Sequence, residues 1–265
     1  DYNKININLF IIIFVLIIFI TKWYYSYFYF DEEIEAKIIF ESVSDGYINF
    51  APFKALANLN LNNSFSPLID NLGTITIPIG TFVVYFIFYS IIGTYSFVIL
   101  EFFFIIFFLI IFYKISRLLD LNRIQSLAVA IILFNISNII EVLNLYNLEY
   151  FKVIFSEFYS LRFPRPIVSN ILFFLFIFLI LKSDKKNFFT KKNSIVFGSI
   201  SSLLFTSYFH AFFLQQIVLI FYLIFKFRSK IIHILKKNIS SILLYILTFL
   251  LVSLPLLINM FFSDP

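Results

Sequence analysis

Cysteine is absent from this chain, which excludes disulfides, thiolate metal sites and cysteine nucleophiles. Charge is scarce as well: 13% of the residues are Asp, Glu, Lys or Arg, against roughly a quarter in soluble domains. The five glycines are too scattered to cradle a nucleotide phosphate. No Walker-type loop, HExxH motif, Gly-x-Ser-x-Gly elbow or Rossmann fingerprint occurs.

What is present is apolar. The chain is 61% hydrophobic and 22% aromatic, and uninterrupted apolar runs of about 18 or more residues read as transmembrane helices. Backbone groups in lipid must be paired internally, and the runs lack strict alternation, so helices are favoured over a barrel. The net charge of +5 does not point to nucleic acid. The basic residues sit in short loops between apolar runs, where they set membrane orientation. The expected fold is all-α: a polytopic transmembrane helix bundle of about seven crossings, with a membrane-dipping or interfacial helix and a large first extra-cytoplasmic loop.

Residues 1–265 read as a single integral-membrane domain. The chain opens on Asp1 and stops at Ser263-Asp264-Pro265 just after an apolar run, so the expectation is the N-terminal part of a longer protein. The first span runs from about Leu9 to Phe28, with Trp23, Tyr24, Tyr25 and Tyr27 as an interfacial aromatic belt. Residues 31–74 form the polar, acidic loop; its first part, to about Val43, reads as a short helix capped by Asp31. The piece Ile77 to Ile92 is short and begins with Pro78 and Gly80. Counting it as a crossing would put the later basic clusters on the side of the acidic loop, so it is read as a dip that does not change sides. Further spans are expected over Phe97–Phe112, Ile124–Ile140, Ile167–Leu181, two short crossings within 195–225 that turn near His210, and Ile239–Phe262. With the N-terminus cytoplasmic, 14 of the 20 basic residues fall in cytoplasmic segments.

Two constellations can carry chemistry. Asp31-Glu32, followed by Glu33 and Glu35, stands where the first span leaves the membrane. A helix N-cap explains an acid there. A general base or cation ligand facing outward explains it as well, since a carboxylate can deprotonate an acceptor hydroxyl. The second is Arg162-Phe163-Pro164-Arg165-Pro166, external and just before a span. Two arginines on a proline-stiffened segment can hold fixed donors toward a phosphate, or snorkel to headgroups.

The order of these features resembles the N-terminal half of the GT-C-fold glycosyltransferases, multi-pass enzymes that use lipid-linked sugar donors. It does so over roughly residues 8–225. One span precedes an acidic motif at the head of a large external loop, here Phe30-Asp31-Glu32-Glu33-Ile34-Glu35-Ala36. The loop ends in a proline-containing helix start, Ile75-Thr76-Ile77-Pro78-Ile79-Gly80. Gly93-Thr94-Tyr95 and the basic end Tyr113-Lys114-Ile115-Ser116-Arg117 follow. The Pro-Pro or Pro-aromatic pair common at the second helix is missing, which leaves the subfamily open.

The resemblance implies transfer of a sugar from a polyprenyl-phosphate carrier to an acceptor on the extra-cytoplasmic face. Asp31 would be the base and Glu32 its support or a cation ligand. Arg162 and Arg165 would contact the leaving phosphate. No cofactor is required; a divalent cation is the one such group the acids would suit. Expected partners are a lipid-linked donor and membrane lipids, with no nucleic acid. The expected location is a bacterial inner (cytoplasmic) membrane, in work on the cell envelope. His210, at an external turn, is a substrate-contact candidate, although a lone histidine there also suits a structural role. Glu101, about a turn inside an apolar span, is a candidate because acids within membranes are costly. The alternative is a multi-pass secondary transporter or flippase-like carrier, which would want such ionisable groups near the membrane centre.

Overall fold

The computed structural model describes residues 6–29, 33–42, 50, 53, 54, 57, 79–142, 167–184 and 188–262. Every element among them is helical. In chain order they are α1 (Ile7–Tyr29), α2 (Ile34–Ser42), α3 (Ile79–Ile92), α4 (Tyr95–Leu118), α5 (Arg123–Val142), α6 (Ile167–Asp184) and α7 (Lys191–Ser207). Then come α8 (Phe209–Phe227), a 3₁₀ turn at Arg228–Lys230, α9 (Ile231–Lys237) and α10 (Ile239–Phe262).

Local chemistry sets the breaks. Gly93 ends α3 with φ of +59°, a left-handed conformation that costs glycine little, and its N–H donates to the Tyr89 carbonyl at 2.8 Å. After α4, Asp120 takes φ of +64°, which a short polar side chain tolerates. Asn122 and Gln125 then form a reciprocal capping box: the Gln125 N–H donates to Asn122 Oδ1 at 2.8 Å, and the Asn122 N–H to Gln125 Oε1 at 3.1 Å. The Arg117 guanidinium donates to the Leu121 carbonyl across the same turn. Thr190 caps α7, its hydroxyl accepting from the Asn193 N–H at 3.1 Å. The single extended residue Tyr208 (φ −155°, ψ 100°) separates α7 from α8.

Side-chain pairs fix the helix directions. α1 and α4 run antiparallel, since Lys22 meets Glu101 while the Phe19 and Phe102 rings lie 5.2 Å apart. α8 folds back along α7 so that Ser201 and Gln215, equally far from Tyr208, are bonded. α10 runs beside α7 in the same direction, pairing Ser201 with Tyr245 and Phe205 with Phe249. Close approach there depends on Gly198, where a Cβ would lie 2.6 Å from the Tyr245 carbonyl oxygen. Small residues at helix contacts are the usual device where lipid supplies no hydrophobic drive.

Basic residues gather at one end of the bundle. The ammonium groups of Lys114 and Lys182 lie 5.9 and 5.7 Å from the centre of the same Phe178 ring. Phe188 packs on Tyr222 and Phe189 on Phe227. The C-terminal ends of α4, α6 and α8 and the start of α7 therefore share one basic end. A buried cluster of Trp23, Ile34, Ile38, Phe53, Phe82, Tyr85, Phe97, Leu100 and Val168 draws together the opposite end, which joins the exit of α1, α2, α3 and the starts of α4 and α6. A second core, with Ile11, Val15, Ile105, Leu109, Ala130, Phe174 and Leu204, fills the middle.

The outside is apolar: Ile17 is 61% exposed and Leu251 59%. Such a shell is compatible with a lipid surround. Among the described residues, α1 and α4 are long and apolar enough to cross a membrane alone. Segments 209–237 and 239–254, bent by 76°, add a third span if counted as one. Shorter apolar helices cover Gly80–Ile92, Arg123–Ile136 and Val168–Ser183. The basic segment after α8 is helical through the 3₁₀ turn and α9.

Candidate functional site

Four of the expected site residues, Asp31, Glu32, Arg162 and Arg165, lie outside the described residues. Their chain neighbours do not. Glu33 is exposed in the turn that leads into α2. One residue on, Ile34 is buried, and Ile38 is buried one helical turn later; their spacing puts both on one face of α2, against the aromatic cluster at the end opposite the basic one. Val168, in the first turn of α6, is buried in that same cluster. The segments following the acidic motif and the arginine motif thus converge on one group of rings, centred on Phe53, Phe82 and Phe97.

Glu101 sits beside this cluster, 7% exposed. Its Oε1 accepts from the Lys22 ammonium at 2.8 Å and its Oε2 from the Trp23 indole N–H at 3.0 Å. The ammonium also lies 4.7 Å from the centre of the Trp23 ring, a cation–π contact. Tyr85, fully enclosed, lies within electrostatic reach of the carboxylate. Both carboxylate oxygens are therefore engaged. The arrangement ties the exit of α1, a few residues before the acidic motif, to α4. It suits holding two helices in register better than transferring protons, because freeing either oxygen would leave a buried donor or charge unmatched.

His210 is exposed in the first turn of α8, its ring 5.6 Å from that of Tyr208. Close by, the start of α3 packs on the end of α7. A Cβ at Gly80 would fall 2.5 Å from the hydroxyls of Ser207 and Thr206 and 2.9 Å from the Leu203 carbonyl oxygen. The Thr81, Ser96, Ser202 and Ser207 hydroxyls are buried without a hydrogen-bond partner among the described residues. Thr81 and Ser96 stand in the first turns of α3 and α4 and Ser207 ends α7, so the end opposite the basic one is polar inside.

Sequence reasoning missed two features. Lys22 was not foreseen as the partner of Glu101; both stand near the outer ends of antiparallel spans, and that matching depth was the available signal. The second is a polar chain inside the α7–α8–α10 unit. Gln215, fully buried, donates to Ser201 at 3.0 Å. The Tyr245 hydroxyl bridges Ser201 and Gln216 at 3.0 and 3.1 Å. The pair Gln215-Gln216 in an apolar run was its only trace in the sequence. Among the described residues no group of three His, Asp or Glu gathers to hold a metal.

No family model, no curated protein and no solved structure matches the chain. Its functional reading rests on its own residues.

Proposed function

We propose that the chain is a GT-C-like membrane glycosyltransferase, moving a sugar from a polyprenyl-phosphate-linked donor to an acceptor on the extra-cytoplasmic face. The observation that carries the reading is the shared cluster. Ile34, three positions after Asp31, and Val168, three positions after Arg165, are buried in the same group of rings. Three extended residues reach about 10 Å, so an acid and an arginine leaving that cluster can meet over one lipid-linked sugar.

In this reading Asp31 takes the proton of an acceptor hydroxyl. The acceptor oxygen bonds to the anomeric carbon as the bond from that carbon to the phosphate oxygen breaks. The polyprenyl phosphate leaves with the electron pair, and Arg162 and Arg165 neutralise it. Glu32 supports Asp31 or holds a divalent cation, and His210, exposed at the head of α8, is the further substrate contact.

The proposed topology has about seven crossings, the N-terminus in the cytoplasm and the basic end facing inward, in a bacterial cytoplasmic membrane. The contacts of α3 support its reading as a dip. Its start touches the end of α7 and its finish turns directly into α4, and charge parity puts both of those points outside. A carrier would need an ionisable group open to a pathway within the membrane; Glu101 is instead occupied by Lys22 and Trp23.

The test uses membranes carrying the full chain, a polyprenyl-phosphate hexose and acceptor extract. Asp31→Asn should lower transfer by roughly a hundredfold or more while inserting as well as the parent chain. Undiminished transfer by Asp31→Asn would overturn the assignment.

A further inference from the structure

Two cavities meet at the basic end of the bundle, and neither takes part in the proposed chemistry. The first, about 390 Å³, lies between the end of α6 and the start of α7. Lys182, Ser183, Thr190, Lys192 and Asn193 line it together with apolar residues that include Phe197. The second, about 210 Å³, is lined almost wholly by apolar side chains: Phe188, just before α7, with Leu219 and Leu223 of α8, Leu235 of α9 and Ile246 of α10 among them. Phe197 lines both cavities, so a cavity with two lysines in its wall adjoins an apolar one across a single ring.

We infer that this is a binding site for one anionic diacyl phospholipid. Its phosphate lies between Lys182 and Lys192, and one acyl chain passes Phe197 into the apolar cavity. The charge argument decides the occupant. Lys182 and Lys192 come from different helices onto one chamber, and Lys114 adds a third cation beside Phe178. Neutral hydroxyls and an amide, from Ser183, Thr190 and Asn193, complete a headgroup lining. Basic pockets between helix ends on the cytoplasmic side are where anionic headgroups settle. Simple snorkelling of lysines toward the interface would not require an apolar cavity behind them. The inference rests on the proposed orientation, with the basic end inward, and stands whether or not the chain transfers sugars.

The test is native mass spectrometry of the full chain released from bilayers of phosphatidylcholine containing one part in five of phosphatidylglycerol. The parent chain should retain one phosphatidylglycerol in preference to phosphatidylcholine. Lys182→Gln with Lys192→Gln should weaken that retention by roughly tenfold or more. Lys236→Gln with Lys237→Gln, two exposed lysines on the same face that line neither cavity, should leave it unchanged. Leu235→Phe, which fills the apolar cavity from the short helix α9 without altering charge, should weaken it too. Soluble glycerol phosphate in excess should not displace the lipid, because it lacks the chain; displacement would mean a phosphate site and overturn the lipid assignment. Equal losses in the two lysine pairs, or none in either, would overturn it as well.

Discussion

Lys22→Met is the most informative single change, because it removes one partner of the Glu101 ion pair and leaves the other buried. At 2.8 Å and an effective dielectric near 20, the pair attracts by about 6 kcal/mol before desolvation is subtracted. Desolvation costs several kcal/mol per ion, and here it falls unevenly: the Glu101 side chain is 9% exposed, that of Lys22 39%. The ammonium keeps part of its hydration and the carboxylate very little. Removing Lys22 should therefore cost about 2–3 kcal/mol, somewhat below the 3–5 typical of fully buried pairs, with the Trp23 indole as the carboxylate's remaining partner. Glu101→Leu alone should cost less, since the stranded ammonium can turn to water. Lys22→Met combined with Glu101→Leu should return to within about 1 kcal/mol of the parent. The assay is denaturant unfolding in nanodiscs, read by Trp23. It is the chain's single tryptophan and touches the carboxylate directly, so its emission should shift in every variant that disturbs Glu101. If the two single costs simply add in the double variant, within about 0.5 kcal/mol, the pair does not couple α1 to α4 and the reasoning is wrong.

Gly198→Val should loosen α7 from α10 at a cost of about 1–3 kcal/mol or more, because its nearest obstacle is the Tyr245 backbone oxygen, which no rotamer change can move; an unchanged unfolding midpoint would refute this. Gly80→Val should detach the start of α3 from α7, seen as faster amide hydrogen exchange across α3 with α10 unaffected. The absence of cysteine allows a clean test of sidedness. His210→Cys should react with a membrane-impermeant maleimide on intact cells, and Lys230→Cys only after permeabilisation; the reverse pattern would invert the proposed topology.

The helices were legible in the sequence because apolar runs of this length have few other uses. The breaks were legible where a residue type forces them, as at Gly93, and less so at Tyr208, where one extended tyrosine ends a helix with neither glycine nor proline. The helix over Ile79–Ile92 was legible from its apolar run, while its packing on the end of α7 through Gly80 had no local signal. The Lys22–Glu101 bond was not legible, because it joins positions 79 apart and nothing local to either residue names the other. The Ser201–Gln215–Tyr245 chain was hidden for the same reason: each residue is unremarkable until three helices bring the polar tips together. Of the candidate site, the sequence supplied the acids and arginines, while the packing of Ile34 and Val168 against one set of rings could only come from three dimensions.

The turn between α4 and α5 has a different kind of consequence. Its bonds, from Arg117 to Leu121 and between Asn122 and Gln125, join residues only a few positions apart. A loop that short closes with little entropic cost, and contacts between near neighbours form early. This pair of helices can therefore take shape as soon as it has been synthesised, before α6 to α10 exist. The ion pair to α1 is then available at once, since its other half has already been made. The first half of the bundle can in this sense begin to fold by itself and offer the later helices a surface on which to pack.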